Sequence, residues 1–351
     1  MVFHVLHVMS HGHTVFLEEG VDGKLTGSIV EASRIGGPLQ IGPGVFDVDA
    51  FEIANVQGWT MRGSGVHYHG GGTLLRVHGA GALVTIRNCG WCRFEDFSIE
   101  AVDQGAATVG LSYTSDGNAS QQCVFRDLVV RNVRAGAGLR VGPADGDVAR
   151  QVDTSVFERI MLAGCATGLV QTGANSVSNR YRQIRFFCDE GARFEGGDVR
   201  VDGCDFVCSP TRAAADIVVE SGAHWATIRD CYHETRAGAA YSFPVSPSPS
   251  VAPHRVYPTL IQGCRVQWMQ PSGDVLHHRQ TGPLEISACT FLGATPWHDA
   301  GVVRVDTPRG SAGCGLTIIG SLFGNGIGLE AVGDVRLFAR GNSGIPNQGL
   351  S

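Results

Sequence analysis

The sequence predicts an all-β fold in which the chain winds into a solenoid of parallel strands. Glycine supplies 49 of the 351 residues, about twice its usual share, and with the many valines and isoleucines it favours short strands joined by tight turns. A six-residue pattern also recurs at intervals of about 20 to 33 residues, a period typical of solenoids. We call one circuit of such a chain around the solenoid axis a coil.

The recurring pattern is an apolar residue, two free positions, a small or apolar residue, one free position and a bulky apolar residue. An amphipathic helix does not explain it, because the segments are short, rich in β-branched residues and interrupted by Gly, Asn and Asp. The segments are FEDFSI from Phe94, FRDLVV from Phe125, FERIML from Phe157, YRQIRF from Tyr181, VDGCDF from Val201, IRDCYH from Ile228, IQGCRV from Ile261, ISACTF from Ile286 and IIGSLF from Ile318.

The fourth position of the last five segments holds a small, weakly polar side chain. Such side chains suit the interior of a coil whose strands lie about 4.8 Å apart. We therefore predict a stacked inner column formed by Cys204, Cys231, Cys264, Cys289 and Ser321.

The pattern also predicts how the chain is organised. Residues 1–25 are predicted to be an N-terminal attachment arm, residues 26–340 a parallel β-helix domain and residues 341–351 a polar C-terminal tail. Within the domain, about residues 26–50 would cap the open end, whose strand edges would otherwise be exposed. The stretch 237–258 is predicted to be a long projecting loop, because its prolines cannot pair within a sheet.

Three segments near the start resemble a known class of proteins. They are TGSIVEASRIGGPLQIGPGVFDV (26–48), WTMRGSG (59–65) and GGTLLRV (71–77). They are similar to the entry of right-handed β-helix proteins of the pectate-lyase-like class, where a short capping helix precedes a Gly-Pro-Gly turn, a first strand and an R-G-x-G turn. The resemblance implies a single right-handed parallel β-helix with a short N-terminal capping helix.

The class includes secreted polysaccharide lyases and hydrolases and the tailspikes of bacteriophages, and this chain is closest in character to the tailspikes. Such motifs specify a fold well and an activity poorly. The chain has neither the Asp-plus-arginine signature expected of a calcium-dependent pectate lyase nor the Asp-Pro-His triplet of alginate epimerases, which weighs against a secreted lyase.

Charge and cysteine content limit the partners and the compartment. The formal net charge of −6 argues against nucleic acid as a partner, and no stretch approaches the length of an apolar membrane span. The odd count of 11 cysteines does not suit a disulfide framework, and the histidine-bearing start MVFHVLHVMSHGH is a poor secretory signal. We expect buried, reduced thiols in a virion protein that folds in the host cytoplasm; secretion is the alternative.

Nearly all the positive charge is arginine, since Lys24 is the only lysine. Arginine suits the carboxylates of an acidic glycan. A bias in genome base composition explains the same observation.

The segment TIRDCYHET (227–235) places His233 where the pattern otherwise has a bulky apolar residue. With Glu234 beside it, His233 is a candidate for acid–base catalysis, and Tyr232 and Tyr241 are candidates for stacking on a sugar ring. The alternative is that the strand ends one residue early and leaves His233 at a solvated corner.

A second candidate site is the acidic stretch CDEGARFEGGD, which we interpret as a turn between two coils. It carries Asp189, Glu190, Glu195 and Asp198, and glycosidases need two carboxylates about 5 to 10 Å apart. The same carboxylates could instead bind calcium or act as a solvated surface that keeps the turn soluble.

The sequence predicts no cofactor and no metal. The chain has two His-x-His pairs, at 11–13 and 67–69. One such pair on the threefold axis of a trimer would supply six nitrogens, an octahedral transition-metal site. An ordinary turn beside glycine is the other interpretation.

Together these features predict a tailspike-like virion protein that binds a bacterial surface polysaccharide as a homotrimer, with residues 1–25 contacting other virion proteins. The sequence leaves open whether the protein is also a depolymerase that cleaves the glycan by hydrolysis or elimination. The alternatives are an extracellular polysaccharide lyase or glycoside hydrolase, and a purely structural virion protein without a glycan site.

Overall fold

Strands make up 59% of the protein and helix 4%, which confirms the predicted all-β class. The structure is a computed structural model. It describes residues 7–8, 24–67, 71–143, 145, 147, 149–208, 215–220, 223–236, 238–244, 258–270, 272–280, 282–293, 301–306, 314–333 and 335–344.

The chain forms two units, Met1–Arg185 and Phe186–Ser351. In the first unit the elements are β1 His7–Val8, α1 Lys24–Ile35, β2 Leu39–Gln40, β3 Gly44–Asp49, β4 Phe51–Ala54, β5 Thr60–Arg62, β6 Thr73–His78, β7 Gly81–Arg87, β8 Arg93–Ala101, β9 Ala107–Thr114, β10 Ser120–Gln121, β11 Val124–Arg131, β12 Ala137–Val141, β13 Val152–Asp153, β14 Val156–Ala163, β15 Thr167–Gln171 and β16 Arg180–Arg182.

Strand β17, Arg185–Phe187, lies at the boundary. The second unit continues with β18 Glu190–Phe194, β19 Gly197–Asp202, β20 Asp205–Phe206, β21 Ile217–Val219, β22 Ala223–Arg229, β23 Tyr232–Thr235, β24 Tyr241–Phe243, β25 Thr259–Gln262, β26 Arg265–Trp268, β27 Asp274–His278, β28 Leu284–Ser287, β29 Thr290–Gly293, β30 Gly301–Asp306, β31 Cys314–Ile319, β32 Leu322–Gly324, β33 Ile327–Val332 and β34 Val335–Arg340.

Helix α1 covers the first strands of its unit, as the cap predicted for residues 26–50. Ile29 and Ala32 are buried, and the helix packs against β2, β3 and β4. It ends at Ile35, and the next residue, Gly36, has a φ of 82°, in the left-handed region that glycine adopts without strain. No helix among the described residues is long and apolar enough to cross a membrane.

In the first unit, the recurring pattern pairs in register from coil to coil. Phe125 of β11 lies opposite Phe94 of β8 and Phe157 of β14. The ring centroid of Phe125 lies 5.0 Å from that of Phe94 and 4.8 Å from that of Phe157, and both pairs are stacked. Parallel in-register pairing brings identical positions together, so one aromatic column runs through this core.

The second unit confirms the same register. Ile261 of β25 lies opposite Ile228 of β22 and Ile286 of β28. All five members of the predicted small column are buried: Cys204, Cys231, Cys264, Cys289 and Ser321.

The third position of the pattern explains its spacing. In every repeat the residue there has a positive φ, from 51° at Asp230 to 67° at Gly263. Side chains alternate across an ordinary strand, so one left-handed residue resets the alternation and the first, fourth and sixth positions all point inward. Aspartate and glycine, which tolerate this conformation best, hold six of the nine places.

The ten cysteines whose side chains the structure describes are buried thiols. They include Cys89 and Cys92, a C-x-x-C pair in the link from β7 to β8, and both are fully buried beside backbone carbonyls. Burial is the largest cause of the raised pKa of Cys231, so this thiol stays protonated. The predicted burial of the cysteines is confirmed for these ten residues.

One prediction about the loop at 237–258 is corrected. Residues Tyr241–Phe243 form β24, a strand that pairs with β21 and β27. Tyr241 and Phe243 alternate inward around Ser242 and are fully buried, so burial of two aromatic rings stabilises a strand within the predicted loop. The proline-rich residues 245–257, most of 1–25, residues 345–351 and the histidines at 11, 13 and 69 lie outside the described residues.

Candidate functional site

His233 lies inside the second unit and not at a solvated corner. It occupies β23 with 0% exposure, opposite Phe206 of β20 and Val266 of β26. Its imidazole stacks on the Phe206 ring with the centroids 4.7 Å apart and the planes 4° from parallel. The strand continues through His233 because its flat ring extends the stack formed by Phe186 and Phe206.

The imidazole is held by a carboxylate that is also buried. His233 Nδ1 lies 3.1 Å from Asp216 Oδ2, and the Thr235 hydroxyl donates to the same oxygen over 2.7 Å. Asp216 is 1% exposed. A buried carboxylate requires such donors, because burial without partners costs several kcal/mol.

Burial separates the predicted residues around His233 into two groups. Tyr241 is 0% exposed and its ring packs 4.6 Å from the imidazole. His233 and Tyr241 therefore cannot touch a polysaccharide in this structure, which corrects their assignment as catalytic and sugar-stacking groups. Tyr232 and Glu234 alternate outward; the Tyr232 hydroxyl donates to Gln267 over 2.9 Å, and Glu234 accepts from Arg236 over 2.9 Å.

The four predicted acidic residues do not form one turn. Asp189 is half-buried just before β18, Glu190 begins β18, Glu195 is exposed just after it, and Asp198 is the second residue of β19. The segment between them is a strand because Ala192 and its alternate neighbour Phe194 fill inward positions. The acidic residues are thus distributed to both ends of β18.

The guanidinium group of Arg193 lies close to two of these acidic residues, Glu190 and Glu195. Arg193 donates through Nε and Nη2 to Glu190 over 2.9 and 2.6 Å, and through Nη1 to Glu220 over 2.7 Å. Glu195 lies close enough to act electrostatically on Glu220. We call Glu190, Arg193, Glu195 and Glu220 the Arg193 cluster. Two carboxylates that share one guanidinium lie less than roughly 10 Å apart, within the range of glycosidase carboxylate pairs.

Burial raises the pKa of Glu220 within the Arg193 cluster. Burial is the largest cause; Glu195 and Glu190 raise it further, and Arg193 opposes them. A carboxyl group with a raised pKa keeps its proton at a higher pH, as a general acid requires.

An exposed tryptophan stands on the neighbouring strand. Trp225 of β22 is 58% exposed, and the irregular register of β19 with β22 places Asp198 opposite the His224–Trp225 pair. Asp198 Oδ1 lies 3.9 Å from His224 Nδ1 and Asp198 Oδ2 lies 3.5 Å from Arg200 Nη2. A broad apolar ring beside polar groups is the usual means of holding a sugar.

We call the Arg193 cluster together with Asp198, His224 and Trp225 the Trp225 surface. Its parts adjoin along the chain, because Glu195 and Asp198 flank the link from β18 to β19, and Glu220 and Trp225 flank the link from β21 to β22. No group of three or more His, Cys, Asp or Glu side chains within the described ranges is arranged to bind a metal ion.

Comparisons with solved structures identify the fold. The chain matches the catalytic unit of a GH87 α-1,3-glucanase from Streptomyces thermodiastaticus at a TM-score of 0.61 and 14% identity, covering 93% of this chain and 67% of that one. It matches the Dettilon tailspike protein at 0.53 and 11% identity, covering 91% and 66%. It matches tailspike protein 2 of Escherichia coli O157:H7 bacteriophage CAB120 at 0.51 and 12% identity, covering 89% of this chain and 44% of that one.

The fold is a right-handed parallel β-helix. This confirms the architecture predicted from the sequence. No protein-family model and no curated protein sequence matches the chain.

Within the β-helix, three residues of the site escaped the sequence analysis: Asp216, Trp225 and Glu220. Asp216 lies 17 positions before His233, and only the pairing of strands brings the two side chains together. Trp225 carried a signal that could have been used: in AHWATIR, the inward Ala226 and Ile228 imply that the tryptophan points outward. The sequence around Glu220 carried no such signal, because the environment of this carboxylate comes from Arg193 on a neighbouring coil.

Proposed function

We propose that this protein is a tailspike-like virion protein that binds a bacterial surface polysaccharide through the Trp225 surface. The observation that carries the proposal is an exposed tryptophan beside clustered carboxylates on the wall of a β-helix. Trp225 would stack on a sugar ring, and the carboxylates would accept hydrogen bonds from its hydroxyl groups. The tailspike structures share the fold and support the choice of biological setting.

The proposal retains the domain organisation and setting predicted from the sequence. Residues 1–25 would attach the β-helix to other virion proteins, and the protein would fold in the host cytoplasm before assembly. The ten buried thiols support folding in a reducing compartment.

Replacing Trp225 tests the proposal. We expect Trp225→Ala to weaken binding to a panel of purified bacterial surface polysaccharides by about tenfold or more, as measured by isothermal titration calorimetry, because a stacked aromatic ring contributes roughly 1 to 3 kcal/mol. The matched control is Trp91→Ala, which removes another exposed tryptophan, 53% exposed, from the first unit. Equal losses from both variants, or no loss from Trp225→Ala, would count against the Trp225 surface.

The pairing of Glu190 and Glu220 on the Arg193 guanidinium, together with the raised pKa that burial gives Glu220, favours glycoside hydrolysis as a second activity of the same surface. Glu220 would protonate the leaving oxygen, and a neighbouring carboxylate of the Arg193 cluster would assist as base or nucleophile. The Glu220→Gln variant should retain glycan binding and lose the release of reducing ends, whereas Glu285→Gln, at an exposed position on β28, should retain both. Hydrolysis by the Glu220→Gln variant at the parent rate would exclude this role.

A further inference from the structure

One outward-facing row of the second unit begins at Trp225 and crosses four neighbouring strands. On the inner side of these strands, four buried residues lie opposite one another: Ala226 in β22, Thr259 in β25, Leu284 in β28 and Leu316 in β31. Side chains alternate along a strand, so the residue before each of these four faces outward. We call the four outward residues the Trp225 strip; they are Trp225, Pro258, Pro283 and Gly315.

The Trp225 strip is open to solvent along its length. Trp225 is 58% exposed, Pro258 and Pro283 are exposed, and Gly315 is half-buried. A Cβ atom on Gly315 would lie 3.8 Å from Pro283 Cβ, an ordinary van der Waals contact, so the last two members adjoin. With strands about 4.8 Å apart, the strip extends roughly 14 Å along the solenoid axis.

The backbone explains why proline is tolerated at two of these positions. Each proline directly precedes a strand, β25 or β28, and proline is compatible with the start of a strand. The carbonyl of Pro258 accepts a hydrogen bond from the Ala226 N–H, and that of Pro283 accepts one from the Thr259 N–H. Because the proline ring is rigid, these two members present fixed apolar faces that lose little conformational entropy when a ligand binds.

The spacing and chemistry of the Trp225 strip suit an extended glycan. Its members repeat at about 4.8 Å, close to the advance of one pyranose unit along an extended chain. A pyranose ring can place its C–H groups on a flat apolar side chain. Both ends of the strip are polar, since Asp198 lies opposite the His224–Trp225 pair and Arg336 of β34 lies opposite Gly315; these charged groups would bind sugar hydroxyls.

We propose that the Trp225 strip binds an extended, unbranched stretch of the polysaccharide that runs along the solenoid axis, with one sugar unit on each strand. This rests on the proposed function, to which it adds the direction of the chain and the length that contacts the protein. The rings of Trp225, Pro258 and Pro283 hold three successive units, and Gly315 leaves space over β31 for a fourth.

Oligosaccharides of graded length test the number of sugar units. Fragments of about two to eight units, cut by partial acid hydrolysis from the surface polysaccharide that the parent protein binds most tightly, are titrated by calorimetry. We expect affinity to rise by about tenfold or more from two units to four and to level off beyond that. Equal affinity for two and four units, with binding still lost in Trp225→Ala, would overturn the strip while the proposed function stands; no binding of any surface polysaccharide would overturn both.

Removing one ring of the strip tests its direction. Pro283→Ala should weaken binding of the four-unit fragment by about fivefold and leave two-unit binding unchanged, because only the longer chain reaches from Trp225 to Pro283. The matched control is Pro38→Ala, which removes an exposed proline that directly precedes β2 in the first unit. If Pro283→Ala binds the four-unit fragment as the parent does, the chain does not follow the strip.

Adding a ring gives the complementary test, because a gain of affinity cannot result from misfolding. Gly315→Tyr places an aromatic ring beside Pro283 and should raise affinity for fragments of four or more units severalfold. The control is Gly328→Tyr, at a position of β33 in the other sheet where a Cβ atom would lie 4.0 Å from the Gly301 carbonyl oxygen; it should leave affinity unchanged. No gain in Gly315→Tyr, or an equal gain in both variants, would show that the strip is not part of the site.

Discussion

At the scale of single residues, the second unit places polar side chains in columns that are otherwise apolar. His233 occupies a position held by Phe206, Val266 and Phe291 in neighbouring coils. Asp216 lies opposite Ala240, because the adjacent Ile217 pairs with Tyr241. The two polar replacements come from neighbouring coils and meet through His233 Nδ1 and Asp216 Oδ2, so each position is explained only by the other.

Removing one partner of this pair should cost more than removing both. Asp216→Ala leaves the His233 imidazole and the Thr235 hydroxyl without their acceptor, and we expect a loss of about 3 to 5 kcal/mol in the free energy of unfolding. His233→Phe with Asp216→Ala restores the residue types of neighbouring coils and should recover most of that loss. Urea denaturation of the two single variants and the double variant measures the coupling; additive losses would contradict a paired role.

A second buried histidine makes stability depend on pH. Burial, with the nearby charge of His277, lowers the pKa of His278 from 6.5 to about 4. Between these values the unfolded chain binds the proton and the folded chain does not, so the contribution of His278 is fully present above pH 6.5 and is lost as pH falls towards 4. The loss from this residue is about 3 kcal/mol at most.

Urea midpoints at pH 7 and pH 4.5 measure this effect. The His278→Val variant, which adopts the residue type of Val305 in the next coil, should lose less stability than the parent over the same interval. An identical loss in both proteins would mean that other groups account for the acid sensitivity.

At the scale of elements, the corner between paired strands is set by one left-handed residue. Gly263 and Gly320 hold this position in two coils, whereas the coil between them has Ala288 with φ 52°. An L-residue in this region is strained by about 1 to 2 kcal/mol. The sequence pattern is therefore a consequence of backbone geometry as much as of burial.

Replacing Ala288 by glycine should relieve that strain. Ala288 is exposed, so Ala288→Gly leaves no cavity, and we expect a gain of about 1 kcal/mol in the free energy of unfolding. Ala331→Gly, in the ordinary strand β33, should instead lose about 0.5 to 1 kcal/mol, because glycine weakens a strand. Thermal denaturation of both variants measures the contrast; a loss of stability in Ala288→Gly would show that the corner tolerates alanine without strain.

At the scale of the whole molecule, the tailspike proposal implies a homotrimer. The resemblance to tailspikes implies that the β-helices pack laterally into a threefold bundle, and the second unit carries exposed apolar side chains outside the Trp225 surface, such as Met269, Val332 and Phe338. We expect light scattering to give three times the chain mass over a wide concentration range. A monomer mass throughout would contradict the tailspike-like assembly and would leave the fold unaffected.

The sequence alone determined the fold, because a repeated register repeats its pattern in the chain: Phe94, Phe125 and Phe157 are recognisable as equivalents from their spacing and neighbours. It placed Glu190 and Glu195 in a candidate site through local charge density. It did not determine which side chains meet, and therefore misplaced His233, whose partner Asp216 comes from another strand. The tertiary structure decided burial, the grouping of Glu190 and Glu220 around Arg193, and the exposure of Trp225, since each depends on residues of neighbouring coils that are distant along the chain.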